Sequence, residues 1–199
     1  MAEDGLEDKV QLASLHSVSK GFVGECGRRG GYVELSGVGQ DVKDIMYKLA
    51  SVNLCSNTGG QLAVGLMCRP PLPGEESFAL YDKERREILG SLKARASMVG
   101  SVLSSVQGMS CVVPEGALYA FPSVTLPPAF VAKHAANPDE AYCMQMLDAT
   151  GVVVVNGSGF GQRDGTHHFR LTILPPANEL QGVLRDIAHF HERLVREYA

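Results

Sequence analysis

Ser14-Leu-His-Ser-Val-Ser-Lys-Gly-Phe-Val-Gly-Glu-Cys-Gly-Arg-Arg-Gly-Gly31 is the most informative stretch of the chain. Lys20 stands behind two serines, Ser17 and Ser19. A glycine-punctuated turn follows, and then a pair of arginines, Arg28 and Arg29. On its left, Val10–His16 has the pattern of a short strand that delivers Lys20 at its C-terminal end. On its right, Gly31–Ser36 alternates like a second strand.

This arrangement suits a lysine that forms a Schiff base with a cofactor aldehyde. Desolvation or a neighbouring cation makes an amine nucleophilic, and Arg28 and Arg29 offer that cation. The hydroxyls and guanidinium groups nearby are donors of the kind a cofactor phosphate takes. Two other phosphate-binding patterns are excluded. No G-x-x-x-x-G-K-[ST] is present. Gly157-Ser-Gly-Phe-Gly161 is only loosely like a dinucleotide fingerprint, because a strand rather than a helix is expected after it.

Outward from the lysine segment, apolar residues at Ile45, Met46, Leu49 and Val52 predict a helix over Val42–Asn53, and a second is expected over Gly60–Cys68. Arg69-Pro-Pro-Leu-Pro-Gly74 is a hard break, since successive prolines cannot continue a helix. From Glu75 to about Val106, apolar residues recur at three- and four-residue steps, which predicts one long amphipathic helix. Short β segments follow at Met109–Val113 and Leu118–Val124, and Thr125–Pro128 interrupts the pattern. A helix is expected over Pro138–Thr150, a buried strand at the valine run Val152–Val155, a glycine loop at Asn156–Gly161 and a returning strand at His167–Ile173. A last helix is expected from about Glu179 with Asn178 as its N-cap. The chain therefore divides near residue 75, with an α/β segment before the long helix and a smaller α+β domain after it.

Composition narrows the function classes. The 199 residues are 45% hydrophobic and 20% charged, enough for a sizeable core, and the net charge of −4 argues against a nucleic-acid or anionic-membrane surface. Five cysteines, widely spaced and with no C-x-x-C, read as reduced thiols of an intracellular protein. No apolar run is long enough to span a bilayer. The first ten residues are acidic and polar, unlike a signal or transit peptide.

Arg170 is the second candidate site residue. It interrupts the apolar-leaning strand Phe169–Leu174, and two readings compete. One is an internal ion pair or an exposed edge strand. The other is a guanidinium fork that takes a substrate carboxylate through two parallel hydrogen bonds. The histidines are weaker candidates. His167 and His168 point to opposite faces of a strand, and His189 and His191 do not converge on a helix. No metal is expected. His16 and Cys26 read as structural, Cys26 as a packed small residue.

Four stretches in order then resemble one family. Ser17–Tyr32 is similar to the pyridoxal-phosphate lysine region of the alanine aminotransferases, of fold type I. Gly74-Glu-Glu-Ser-Phe78 is similar to the start of their interdomain helix, Glu115-Gly-Ala-Leu-Tyr-Ala-Phe-Pro122 to a small-domain strand, and Gly157–Pro176 to the carboxylate-arginine region. The resemblance covers essentially everything beyond about residue 11. It implies an α/β fold: the C-terminal part of the large domain (1–74, with the lysine loop), a long interdomain helix (75–106), and a complete small α+β C-terminal domain (107–199).

The resemblance further implies pyridoxal 5'-phosphate as cofactor, with Lys20 as the Schiff-base lysine and proton shuttle. Ser17 and Arg29 would hold the phosphate with help from Ser19, and Arg170 would bind the substrate α-carboxylate. The implied reaction converts L-alanine and 2-oxoglutarate to pyruvate and L-glutamate, in a homodimer when the protein is full length. The compartment, cytoplasmic or mitochondrial, stays open.

The family's large domain extends well before the lysine. It supplies an aspartate for the pyridine nitrogen, a stacking aromatic ring, and a tyrosine and an asparagine near the 3-oxygen, none of which has a counterpart here. Asn156 stands where the family usually has proline, which would loosen the glycine loop. A related glyoxylate-type transaminase and a non-catalytic remnant acting as an interaction domain are the alternatives. Truncation would leave an apolar face on residues 10–70 uncovered.

Overall fold

A computed structural model describes residues 10–199; most of the acidic N-terminal stretch lies outside the described residues. The chain forms two compact units, divided between Arg85 and Arg86.

The first unit is built on a hairpin. Strands β1 (Leu12–Ser17) and β2 (Gly31–Ser36) pair antiparallel, with Ser17 opposite Gly31. Helices α1 (Gln40–Val52) and α2 (Thr58–Cys68) follow. Asn57 caps α2, its side-chain oxygen accepting from the Gly60 N–H at 2.6 Å. The unit has little core of its own. Val18 is its one fully buried large apolar side chain among the described residues, while Leu15, Val33, Ile45, Leu49, Leu62 and Leu66 are exposed. A two-stranded sheet and two short helices with so little burial do not offset the conformational entropy of ordering them.

Helix α3 (Phe78–Ser104) crosses the division between the units. That division therefore falls inside the helix rather than at the proline run before it. Of its amphipathic stripe, Ala96, Val99, Gly100 and Leu103 are buried, whereas Leu80, Ile88 and Leu89 are exposed.

The second unit holds the core. Its strands are β3 (Met109–Ser110), β4 (Tyr119–Ala120), β5 (Ser123–Val124), β6 (Val155–Asn156) and β7 (His167–Thr172). They form one sheet in the order β3-β5-β7-β4, with β6 also pairing β7. β4 and β5 keep a single antiparallel register along β7: Tyr119 faces Thr172, Ala120 faces Leu171, Ser123 faces His168 and Val124 faces His167. The strand expected over Leu118–Val124 is thus present with an interruption at Pro122, which has no N–H to donate; its carbonyl still accepts from the Phe169 N–H.

Helices α4 (Pro128–Lys133), α5 (Pro138–Thr150) and α6 (Ala177–Glu197) complete the unit. Val99, Leu103, Phe130, Met146, Phe169, Leu184 and Ile187 are fully buried together.

Three expectations need correction. The valine run is not a buried strand: Val152 and Val154 pack on the core while Val153 and Val155 face solvent, and only Val155–Asn156 pairs as β6. An extended segment on one side of a core buries every second residue, whatever its composition. Helix α6 is capped by Pro176 rather than Asn178; a proline loses nothing at a helix start, where the N–H would lack an intrahelical partner. Helix α4, whose first residue is Pro128, was not legible in the Thr125–Pro128 break.

His191, fully buried on α6, holds two segments together. Its Nε2 lies 3.1 Å from the Gln107 carbonyl and its Nδ1 3.2 Å from the Tyr142 hydroxyl. A carbonyl only accepts, so Nε2 carries the proton and Nδ1 accepts from Tyr142. Burial lowers the His191 pKa below its usual 6.5, against smaller raising effects of the Gln107 carbonyl and Glu192. The unfolded chain then takes up a proton near pH 6.5 that the folded unit resists. Stability is complete above that pH and falls as acid is added, until the folded value is passed. The melting temperature is expected to drop between about pH 7 and pH 5, with a shallower drop in His191→Gln, as followed by circular dichroism across that range.

Candidate active site

The Lys20 loop runs from Val18 to Gly30 between β1 and β2, and backbone bonds fold it tightly. The Val18 N–H donates to the Gly30 carbonyl at 3.1 Å, closing the base of the loop. The Glu25 N–H donates to Val18 at 2.8 Å. Gly21 and Gly24 take left-handed backbone conformations that L side chains avoid. Arg29 takes one as well (φ 52°), at roughly 1–2 kcal/mol for a residue with a Cβ.

Ser19, Lys20 and Arg29 therefore share this loop, Ser17 ends β1 directly before it, and closure of the base sets the serine end against the arginine end. The Ser17 hydroxyl oxygen accepts from the Ser19 N–H at 3.3 Å, which leaves its own proton for another acceptor. Arg29 spends one donor, Nη1, on the Cys26 carbonyl at 2.9 Å, and its remaining N–H groups are available to an anion. Cys26 is exposed rather than packed. His16 sits edge-on to Tyr32, 6.1 Å between ring centroids.

Helix α2 seats the loop by a glycine contact. A Cβ on Gly30 would stand 2.6 Å from the Gly60 carbonyl oxygen, and one on Gly60 would stand 2.8 Å from the Arg28 carbonyl oxygen. Asn57, the cap of α2, also reaches the Arg29 carbonyl at 3.4 Å.

Arg170 belongs to the second unit, on β7. Burial alternates along that strand: Phe169 and Leu171 face the core, so His168 and Arg170 lie on the opposite face. The register sets Phe121 across from Arg170. The guanidinium carbon lies 4.4 Å from the Tyr119 ring centroid and 4.8 Å from that of Phe160. β7 is paired by β4, β5 and β6, so it is no exposed edge, and among the described residues no carboxylate pairs with Arg170. The guanidinium thus lies over two aromatic rings, close enough for cation–π attraction.

Phe160 comes from a 3-10 turn, Gly157–Phe160. Asn156 before it has φ −61°, an angle proline also adopts, and its side-chain amide donates to the Ser158 hydroxyl at 2.6 Å. The replacement therefore ties the loop rather than loosening it. Gly157 is required by close approach, since a Cβ there would fall 2.8 Å from His168. Tyr119, Phe121 and Phe160 were absent from the sequence candidates. An alternating pair of aromatics in the strand opposite Arg170 was the available signal.

No protein-family model matches the chain. An alanine aminotransferase structure from Pyrococcus furiosus superposes with a TM-score of 0.74 at 26% identity, over 92% of this chain and 43% of that one. A tyrosine aminotransferase from Leishmania infantum superposes with a TM-score of 0.73 at 21% identity, over 92% of this chain and 42% of that one. The fold is that of a portion of a fold type I aminotransferase.

In sequence, the chain is 53% identical over 193 residues to "Probable alanine aminotransferase, mitochondrial" of Dictyostelium discoideum, and 45% identical over 192 residues to alanine aminotransferase 1 of Bos taurus. Each match covers 95% of this chain, which spans 36% and 39% of the lengths of those relatives. The chain is similar to the C-terminal portion of alanine aminotransferases. Among the described residues no helix is long and apolar enough to cross a membrane.

Gly60→Ala is expected to push α2 off the lysine loop at a cost of about 1–3 kcal/mol. Hydrogen exchange would then show faster exchange at the Val18 and Glu25 amides, with β7 unchanged.

Proposed function

We propose that this chain carries the lysine loop and the carboxylate-binding small domain of a pyridoxal-phosphate-dependent alanine aminotransferase. The reaction is L-alanine plus 2-oxoglutarate to pyruvate plus L-glutamate. The observation that carries the reading is Arg170, a guanidinium lying against two rings with no carboxylate partner among the described residues, in a chain similar over 95% of its length to proteins of that name. The lysine loop supports it, because an amine, hydroxyls and a guanidinium on one closed turn suit an aldehyde-bearing phosphate ester.

When bound, the cofactor supplies an electron-withdrawing ring that weakens the substrate Cα–H bond. Lys20 would hold the cofactor through Nζ, and its amine, once released by the substrate amine, would be the base that takes the Cα proton and returns it one position along. Ser17 and Arg29 would hold the phosphate, with Ser19 tightening the turn that aims Ser17. Arg170 receives the substrate α-carboxylate through paired N–H bonds, which fixes the direction of Cα–H for proton transfer. Residues found only in the longer relatives complete the site, and the whole enzyme acts as a homodimer.

The uncovered apolar side chains of the first unit favour a second reading, in which the 199 residues alone form a non-catalytic piece that pairs with other polypeptide. One experiment separates the two. The chain, and a polypeptide extended upstream toward the length of its relatives, are incubated with pyridoxal phosphate, reduced with borohydride and mapped by mass spectrometry. Modification at Lys20 in either supports the enzyme reading, and modification in the longer form alone assigns the short chain the second. Absence of label in both ends the transaminase proposal. In the competent form, Lys20→Ala is expected to abolish the half-reaction with alanine. Arg170→Lys is expected to lower kcat/KM about tenfold or more, since an ammonium cannot reproduce the planar fork.

A further inference from the structure

Asp139 is a carboxylate with only 2% of its surface exposed, and it forms no ion pair among the described residues. It sits in the first turn of α5, where the helix field favours negative charge. Its Oδ2 accepts two donors, the Ser158 N–H at 2.6 Å and Gln162 Nε2 at 3.2 Å. A buried carboxylate needs strong donors, and both of these come from the segment that carries Phe160.

Two routes lead from Asp139 to the guanidinium of Arg170. The first is the backbone: Ser158 fixes the turn whose last residue, Phe160, lies against Arg170. The second is a chain of side chains. Gln162 Oε1 accepts from His168 Nδ1 at 3.0 Å, and the His168 ring stacks on Phe121 with 5.0 Å between centroids. Phe121 in turn meets Phe160 edge-on at 5.6 Å. Both routes end on Phe160, one face of the clamp around Arg170.

We infer that Asp139 is a positioning residue for Arg170: it locks the 157–162 turn and so aims the guanidinium at the substrate carboxylate. The inference rests on Arg170 being that carboxylate site. An acid whose only task was to satisfy the helix start would leave the Arg170 side chain unmoved when removed.

The whole 199-residue chain serves for the test, isotope-labelled in arginine and aromatic side chains, with 2-oxoglutarate as the carboxylate probe. In the parent, the Arg170 δ-protons carry ring-current shifts from Tyr119 and Phe160. Asp139→Ala is expected to move them toward unstacked values and to weaken 2-oxoglutarate about tenfold, as a small misplacement of a binding group does. Asp139→Asn keeps an oxygen able to accept both donors and is expected to restore most of the stacked shift. Asp148→Ala, an exposed position on the same helix, changes neither readout.

A folded Asp139→Ala chain with unmoved Arg170 protons overturns the inference, and so does an Asn variant that behaves like Ala. If the Ala variant does not fold, Gln162→Ala tests the side-chain route. Displaced His168 and Arg170 resonances support the inference, and an unmoved Arg170 overturns it. If the polypeptide extended upstream keeps a stacked Arg170 but takes no 2-oxoglutarate, the carboxylate reading alone is refuted, and the ring-current comparison still decides the role of Asp139.

Discussion

Strand β7 organises the second unit through the strict alternation of its side chains. Every sheet strand except β3 pairs with it directly, so its register is inherited by the rest. One face carries Phe169 and Leu171 into the core. The other carries His168 and Arg170 to the aromatic cluster. A slip of one residue would exchange the two faces, burying a guanidinium and exposing a phenylalanine. The apolar residues that stabilise the unit therefore also fix where its cation stands.

The lysine loop depends on a different constraint, the absence of side chains. Gly30 and Gly60 let the backbone of the loop and the first turn of α2 approach within distances that any Cβ would obstruct. The Asn57 cap adds a bond to the Arg29 carbonyl, so helix start and loop end are held by one residue. Energy is stored at Arg29, whose left-handed backbone is unusual for a residue with a side chain. In the proposed enzyme that strain holds a phosphate-binding group ready before any ligand arrives.

The two units differ in how far they stabilise themselves. The second closes a continuous core across α3, the sheet and α4 to α6. The first leaves the apolar faces of its hairpin and helices in water, although its secondary structure is regular. The chain spans little more than a third of the length of its alanine aminotransferase relatives.

Local patterns determined much. The hairpin about Lys20, the long helix, the helix over Pro138–Thr150 and the returning strand with Arg170 were all legible, because periodicity of two or 3.6 and proline breaks act over a few residues. The motifs around Lys20 and Arg170 marked the chemistry by residue type. Tertiary structure alone decided the rest. It interrupted one strand at Pro122 yet kept its register, uncovered two of four valines, and exposed Cys26. It also closed the Tyr119–Phe160 clamp on Arg170 and buried Asp139 beneath the turn that supplies Phe160. The strand register, the contacts of Arg170 and the burial of Asp139 depend on separate segments meeting in the folded unit, and no local preference encodes such a meeting.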